Sequence, residues 1–155
     1  MGMDVSGKKP TTEAGGYFRN NCWWWRPLWE YCEHIAPHLT NKVKYAGSND
    51  GDGLGARDSK KLAELLQAEV DAGKTRVYQL ARDAELAAMP DETCWLCGGT
   101  GKRAEPPSVG AGVYPCNGCA STGKVRPSAC NYPFDVDNVK GFIEFLRGCG
   151  GFEIW

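Results

Sequence analysis

The 155-residue sequence predicts an α+β fold: a small, mostly helical domain with a short C-terminal strand, interrupted by an insert of different composition. Three observations predict it. Apolar residues recur at helical spacing in three stretches before Pro90 and in one after Asp135. Phe152, Glu153, Ile154 and Trp155 alternate as a strand does. Between these regions, from Asp91 to Cys130, the chain is rich in Gly, Cys and Pro and poor in large aliphatics. Such a tract cannot bury enough apolar surface to order itself, so something else must hold it.

Taken in order, residues 1–16 read as a flexible leader, polar and rich in Gly, Lys and Thr. Residues 17–90 form the helical N-terminal part of the domain. Pro27 suits a first helical turn, and Leu28, Tyr31, Cys32, Ile35 and Leu39 follow at helical spacing. A helix from about Pro27 to Ala36 is expected, ended by Pro37. Asn49, Asp50 and Asp52 lie in a tract of turn-forming residues. They fail the calcium-loop pattern, because Leu54 and Lys61 stand where oxygen ligands are needed. Asp58 or Ser59 can cap a second helix with a buried stripe of Leu62, Leu65, Leu66 and Val70, stopped at Gly73. A third helix, Thr75 to Ala88, is expected to turn Val77, Leu80, Ala81 and Ala84 inward. Residues 131–155 complete the domain. Asp135 or Asp137 can cap a helix whose inward face is Val139, Phe142, Ile143 and Leu146.

Net charge is −1, which argues against a broad basic surface for non-specific nucleic-acid binding. The sequence has neither an apolar run long enough to span a membrane nor a signal-peptide core. A reduced, cytoplasmic location is therefore expected, and there paired cysteines bind metal more often than they form disulfides. Cys22, Cys32, Cys130 and Cys149 stand alone and read as small buried apolar residues.

The insert of residues 91–130 writes one phrase twice: CWLCGGTGK from Cys94 and CNGCASTGK from Cys116. Cys94/Cys97 and Cys116/Cys119 are two CxxC pairs with eighteen residues between them. Two thiolates three apart can bite one face of a tetrahedral ion, and the second pair completes it. Glycines after each pair let the backbone turn so that N–H groups point at the sulfurs. One Zn²⁺ is the expected ion, with iron the main rival. Four protein ligands leave no place for water, so the metal is expected to be structural.

CWLCGGTG resembles the CxxCxGxG repeat of the DnaJ-type cysteine-rich domain, and CNGCASTG keeps the pair and final glycine, with Ser121 in place of the first glycine. That family carries four repeats and two zinc ions. This chain has two repeats and lacks the His-Pro-Asp signature of the J-domain, so a co-chaperone role does not carry over. The resemblance implies knuckle geometry and a tendency to bind polypeptide or nucleic acid. NNCWWWRPLWEYC and YPFDVDNVKGFIEFLRGCGGFEIW also look like segments of short proteins from bacteriophages and bacteria.

Trp23, Trp24, Trp25 and Trp29 cannot all face one core, so part of this cluster is a candidate contact surface, with Arg19, Asn21 and Arg26 beside it. Between Cys94 and Cys130, Lys102, Arg103, Lys124 and Arg126 face only Glu105, a basic rim that could touch phosphates or an acidic partner. His34 and His38 lack a carboxylate to complete a metalloprotease motif, and no nucleophile–base or phosphate-loop motif appears. The expectation is a non-enzymatic zinc protein that occupies a protein partner, such as a phage-encoded inhibitor of a host defence system. The alternatives are an RNA or single-stranded nucleic-acid binder, and a small-molecule or nucleotide binder.

Overall fold

The computed structural model describes residues 2–155. In chain order the elements are β1 (Gly2–Gly7), β2 (Tyr17–Asn21), α1 (Cys22–Ile35), α2 (Pro37–Thr40), α3 (Ala56–Asp71), α4 (Lys74–Ala88), β3 (Glu92–Thr93), β4 (Lys102–Arg103), β5 (Tyr114–Pro115), β6 (Lys124–Val125), α5 (Val136–Gly148) and β7 (Phe152–Ile154). The fold is α+β. It divides into two compact units, one of Met1–Ala84 with Tyr132–Trp155, the other of Glu85–Asn131.

The first unit joins a three-stranded sheet to helices. Its strand order is β2-β1-β7, with both pairings antiparallel, so Val5 stands opposite Phe18 on one side and Ile154 on the other. This corrects the expected flexible leader. Residues 2–7 are the central strand, and alternation buries Met3 and Val5 in the core. The segment that follows is tied down too: the N–H groups of Lys8, Lys9 and Thr11 donate to the carbonyls of Gly151, Cys149 and Gly148.

α1 starts at Cys22, five residues before the proline, because the Asn21 side chain accepts the Trp24 N–H at 3.0 Å and caps the helix. α3 is capped at Gly55 rather than at Asp58 or Ser59, and the Ser59 hydroxyl donates back to the Gly55 carbonyl at 2.9 Å. α5 is capped by Asp135, which accepts the Asp137 N–H, and Val139, Phe142, Ile143 and Leu146 are all buried. Leu62 and Leu66 of α3 pack into the same core. Its centre is aromatic: the Phe142 ring lies edge-on to Trp25 at 5.5 Å and stacks with Phe145 at 6.0 Å.

α4 is turned opposite to expectation. Val77 is 67% exposed and Leu80 52%, and Ala81 and Ala84 are exposed as well. The inward face is instead Thr75, Tyr78, Gln79 and Leu86. Tyr78 meets Tyr31 and Phe134 edge to face at 4.9 and 4.7 Å, and the Gln79 side chain accepts the Val136 N–H at 3.1 Å. An aromatic cluster and a hydrogen bond to the start of α5 outweigh a stripe of small aliphatics.

Candidate metal centre

The second unit has almost no hydrocarbon core. Its buried cluster is Cys94, Cys97, Cys116 and Cys119, flanked by Leu96 and Val125. The two phrases are offset by 22 residues, and the structure repeats at that offset. β3 precedes the first phrase and pairs with β6 after the second, while β5 precedes the second and pairs with β4 after the first. The Cys94 N–H donates to the Gly123 carbonyl, and the Cys116 N–H to the Gly101 carbonyl. Thr100 and Thr122 each donate a hydroxyl to the carbonyl three residues back and accept the N–H two residues on. The two halves are thus related by an approximate two-fold that brings both pairs to one point.

The glycines do two different jobs there. Gly98, Gly99, Gly101 and Gly123 all have left-handed φ, between +61° and +85°. A Cβ on Gly101 would lie 2.3 Å from the Ser121 oxygen, and one on Gly123 would lie 2.2 Å from the Gly99 oxygen, so these two let the halves touch. In the second phrase the positions matching Gly98 and Gly99 are Ala120 and Ser121. They keep left-handed φ of 48° and 64° despite their side chains. The turn geometry is imposed on residues that disfavour it, at a cost of about 1–2 kcal/mol each.

The sulfur atoms stand at 3.8 Å from Cys94 to Cys116 and 3.8 Å from Cys97 to Cys119, with all four ligand atoms within 4.8 Å. Sulfurs about 2.3 Å from a tetrahedral ion would stand ~3.8 Å apart, so the donor set fits a metal ion without rearrangement. The same separations are far too long for disulfides, and all eight cysteines are free. Electrostatics favours thiolate at one of the four positions. Burial opposes ionisation of Cys97, but the N–H groups of Gly101 and Gly99 point at its sulfur and bring it down to about 6. Burial pushes the neighbouring Cys94 thiol up. The Gly123 N–H donates to the Cys119 sulfur at 3.2 Å. Four buried cysteines are positioned to hold one metal ion, and all four coordination places are taken by protein.

The expected basic rim is thinner than the sequence implies. Lys102 and Lys124 are exposed, but Arg103 is buried. It donates to the Asn117 side chain at 2.8 Å and to the Ser108 carbonyl at 3.2 Å, bracing the 104–112 loop from inside. Arg126 donates to the carbonyls of Leu86 and Met89 and pairs with Asp91. Both guanidiniums therefore serve the unit's own architecture. The unit also exposes large apolar side chains: Trp95 at 69%, with Val109, Val113 and Tyr114. The Gly110 N–H donates to the Leu96 carbonyl, which brings the Val109 stretch alongside Trp95. Trp95 sits inside the first CxxC, where the second phrase has Asn117. That asymmetry between the phrases was readable from the sequence, as was the threonine shared by both.

In the first unit the tryptophan cluster divides. Trp25 and Trp29 are core and stack at 5.5 Å, and the Trp25 indole donates to the Ala46 carbonyl at 2.6 Å. Trp24 is half-buried, while Trp23 is 40% exposed and packs on Tyr132 at 4.8 Å. Arg26 donates to the Tyr132 hydroxyl. Asn21 is the α1 cap, and Arg19 is exposed on β2. The structure therefore does not bring these residues together around one ligand. A surface cleft of about 220 Å³ lies beside α1, lined by Trp25, Arg26, Trp29, Glu30 and Lys44 among others. Asp52 closes its turn: its carboxylate accepts the N–H groups of Lys44, Tyr45 and Gly53. Burial raises its pKa, and these three bonds more than offset that and hold it below the ordinary carboxylate range. His34 and His38 are exposed. Among the described residues no helix is long and apolar enough to cross a membrane.

No family model, no curated protein and no solved structure matches the chain.

Proposed function

We propose that Cys94, Cys97, Cys116 and Cys119 hold one structural Zn²⁺, and that the unit it organises is a docking module for a protein partner. Zinc is the ion favoured by four thiolates in tetrahedral array and brings no redox chemistry of its own. With every coordination place taken by cysteine, its contribution is folding energy rather than catalysis. The observation that carries the docking reading is Trp95, an indole held largely in solvent inside the first CxxC turn. Exposed tryptophans on preorganised turns are the side chains that anchor protein interfaces. Val113 and Tyr114 extend the apolar surface. The DnaJ-like form of the repeats supports polypeptide as the ligand. The likeness of the terminal segments to short phage and bacterial proteins supports action in a bacterial cytoplasm, as a non-enzymatic inhibitor that occupies a host protein.

The nucleic-acid reading has a specific observation behind it as well, since Lys102 and Lys124 flank the same turns and Trp95 could stack on a base. It is the weaker reading because Arg103 and Arg126 are engaged within the unit. Elemental analysis of reduced protein tests the first half of the proposal and should give one zinc per chain. Capture from bacterial lysate with wild type and with Trp95→Ala tests the second. A protein retained at 0.5 M salt by wild type and lost with Trp95→Ala is the expected result. Ligands shared by both forms, or a ligand released steeply by salt and removed by nuclease, would overturn it.

A further inference from the structure

The exposed face of α4 is what a soluble helix normally covers. Val77, Leu80, Ala81 and Ala84 follow i, i+3, i+4, i+7 spacing and form one apolar stripe. It lies opposite the face that Thr75, Tyr78 and Leu86 bury. Val77 and Leu80 are 67% and 52% exposed, although each would be buried in an ordinary amphipathic helix. Two small residues in the stripe, Ala81 and Ala84, would let another helix approach closely. On one side the stripe borders a cleft of about 330 Å³ to which Tyr31, Val77, Tyr78 and Ala81 contribute apolar surface and which also carries His34 and the Glu69–Lys74 ion pair.

The flanking charges say what covers it. Arg76 and Asp83 lie two turns apart on one flank of the stripe, both exposed. In an antiparallel pair of identical helices the same flank of each meets across the seam. Arg76 of one copy then faces Asp83 of the other, and the two-fold repeats the pair at the opposite end. A parallel pair would bring this flank against the other and lose both matches. Self-complementary charge around an apolar stripe is the pattern of an isologous interface.

We propose that the chain forms a two-fold dimer through antiparallel pairing of α4, with Val77, Leu80, Ala81 and Ala84 in the seam and reciprocal Arg76–Asp83 ion pairs at its edge. One helix pair plus the adjoining cleft is a small interface, so the dimer dissociates on dilution. Sedimentation equilibrium of the full chain across concentrations tests this. Wild type should pass from monomer to dimer within the range up to about 100 µM, a typical span for so small a contact. Leu80→Glu should weaken association at least ~10-fold, equivalent to about 1.4 kcal/mol. Arg76→Asp alone should weaken it, and Arg76→Asp combined with Asp83→Arg should restore it, because the swapped pair is again complementary. All these positions are exposed, so unchanged circular dichroism should accompany each variant. A chain that is monomeric throughout the range overturns the proposal. So does a dimer indifferent to Leu80→Glu, or a double swap no better than the single one.

Discussion

The two units of this chain solve the same problem with opposite means. The first buries Trp25, Phe142, Phe145, Phe152 and a ring of aliphatics, and its order follows from hydrocarbon removed from water. The second buries four sulfur atoms and little else. Its strands are two residues long, and its backbone is left-handed at seven positions from Gly98 to Gly123. The ion proposed for the four sulfurs would hold that arrangement together. The difference teaches that stability in one chain can come from two independent sources, each removable without the other.

The largest effect should come from the metal. Structural zinc supplies on the order of 10 kcal/mol to small knuckles. A strong chelator, or Cys116→Ser, should therefore abolish amide-exchange protection across residues 85–131 and leave protection in β1 and α5 intact. Loss in both units together would show that the division is wrong. Acid should act like the chelator. A thiol with a depressed pKa favours its ionised form above that pH and gives up the advantage as pH falls through it. Because protons compete with the ion for all four sulfurs, metal release followed by a zinc indicator should increase as pH falls, and the backbone N–H donors at Cys97, which favour its thiolate, should oppose it.

Next in size is the converse experiment. Phe142→Ala should cost the first unit about 3–5 kcal/mol, since the ring is fully buried among aromatics. Thermal unfolding followed by tyrosine and tryptophan signals should shift down while the metal stays bound. Smaller still are the glycine substitutions that probe the approximate two-fold. Gly123→Ala should destabilise the metal-bound unit by about 1–3 kcal/mol, because its Cβ would strike the Gly99 carbonyl. Ser121→Gly should do the reverse, tightening metal binding several-fold by relieving about 1 kcal/mol of backbone strain. If both changes act in the same direction, strain is not what separates the two phrases.

The metal centre was legible because its signal is local: two thiols three residues apart, twice, with turn glycines after each. α5 was legible for a similar reason, as Asp135 and an unambiguous stripe fix its start and its face. β1 was not. Met3 and Val5 alternate, but the hydrogen bonds that make them a strand come from residues 16–21 and 152–155, and nothing within the segment itself announces those partners. α4 reads from sequence as one stripe of Val77, Leu80, Ala81 and Ala84, and its actual orientation is set by Tyr31, Phe134 and the start of α5, which are tertiary neighbours. Arg103 looked like surface charge because its acceptors, the Asn117 side chain in the second CxxC and the Ser108 carbonyl in the loop it braces, are brought to it only by the fold.

The place of β1 between β2 and β7 has a consequence for biosynthesis. As the chain leaves the ribosome, the opening strand can form a hairpin with β2 at once. It must then wait, with its other edge unpaired, until residues 152–154 emerge to close it. Residues 85–131 form one continuous segment whose strand pairings are internal to it. All four sulfurs therefore become available from that one segment, whereas the sheet of the first unit must wait for strands on both sides of it in the sequence.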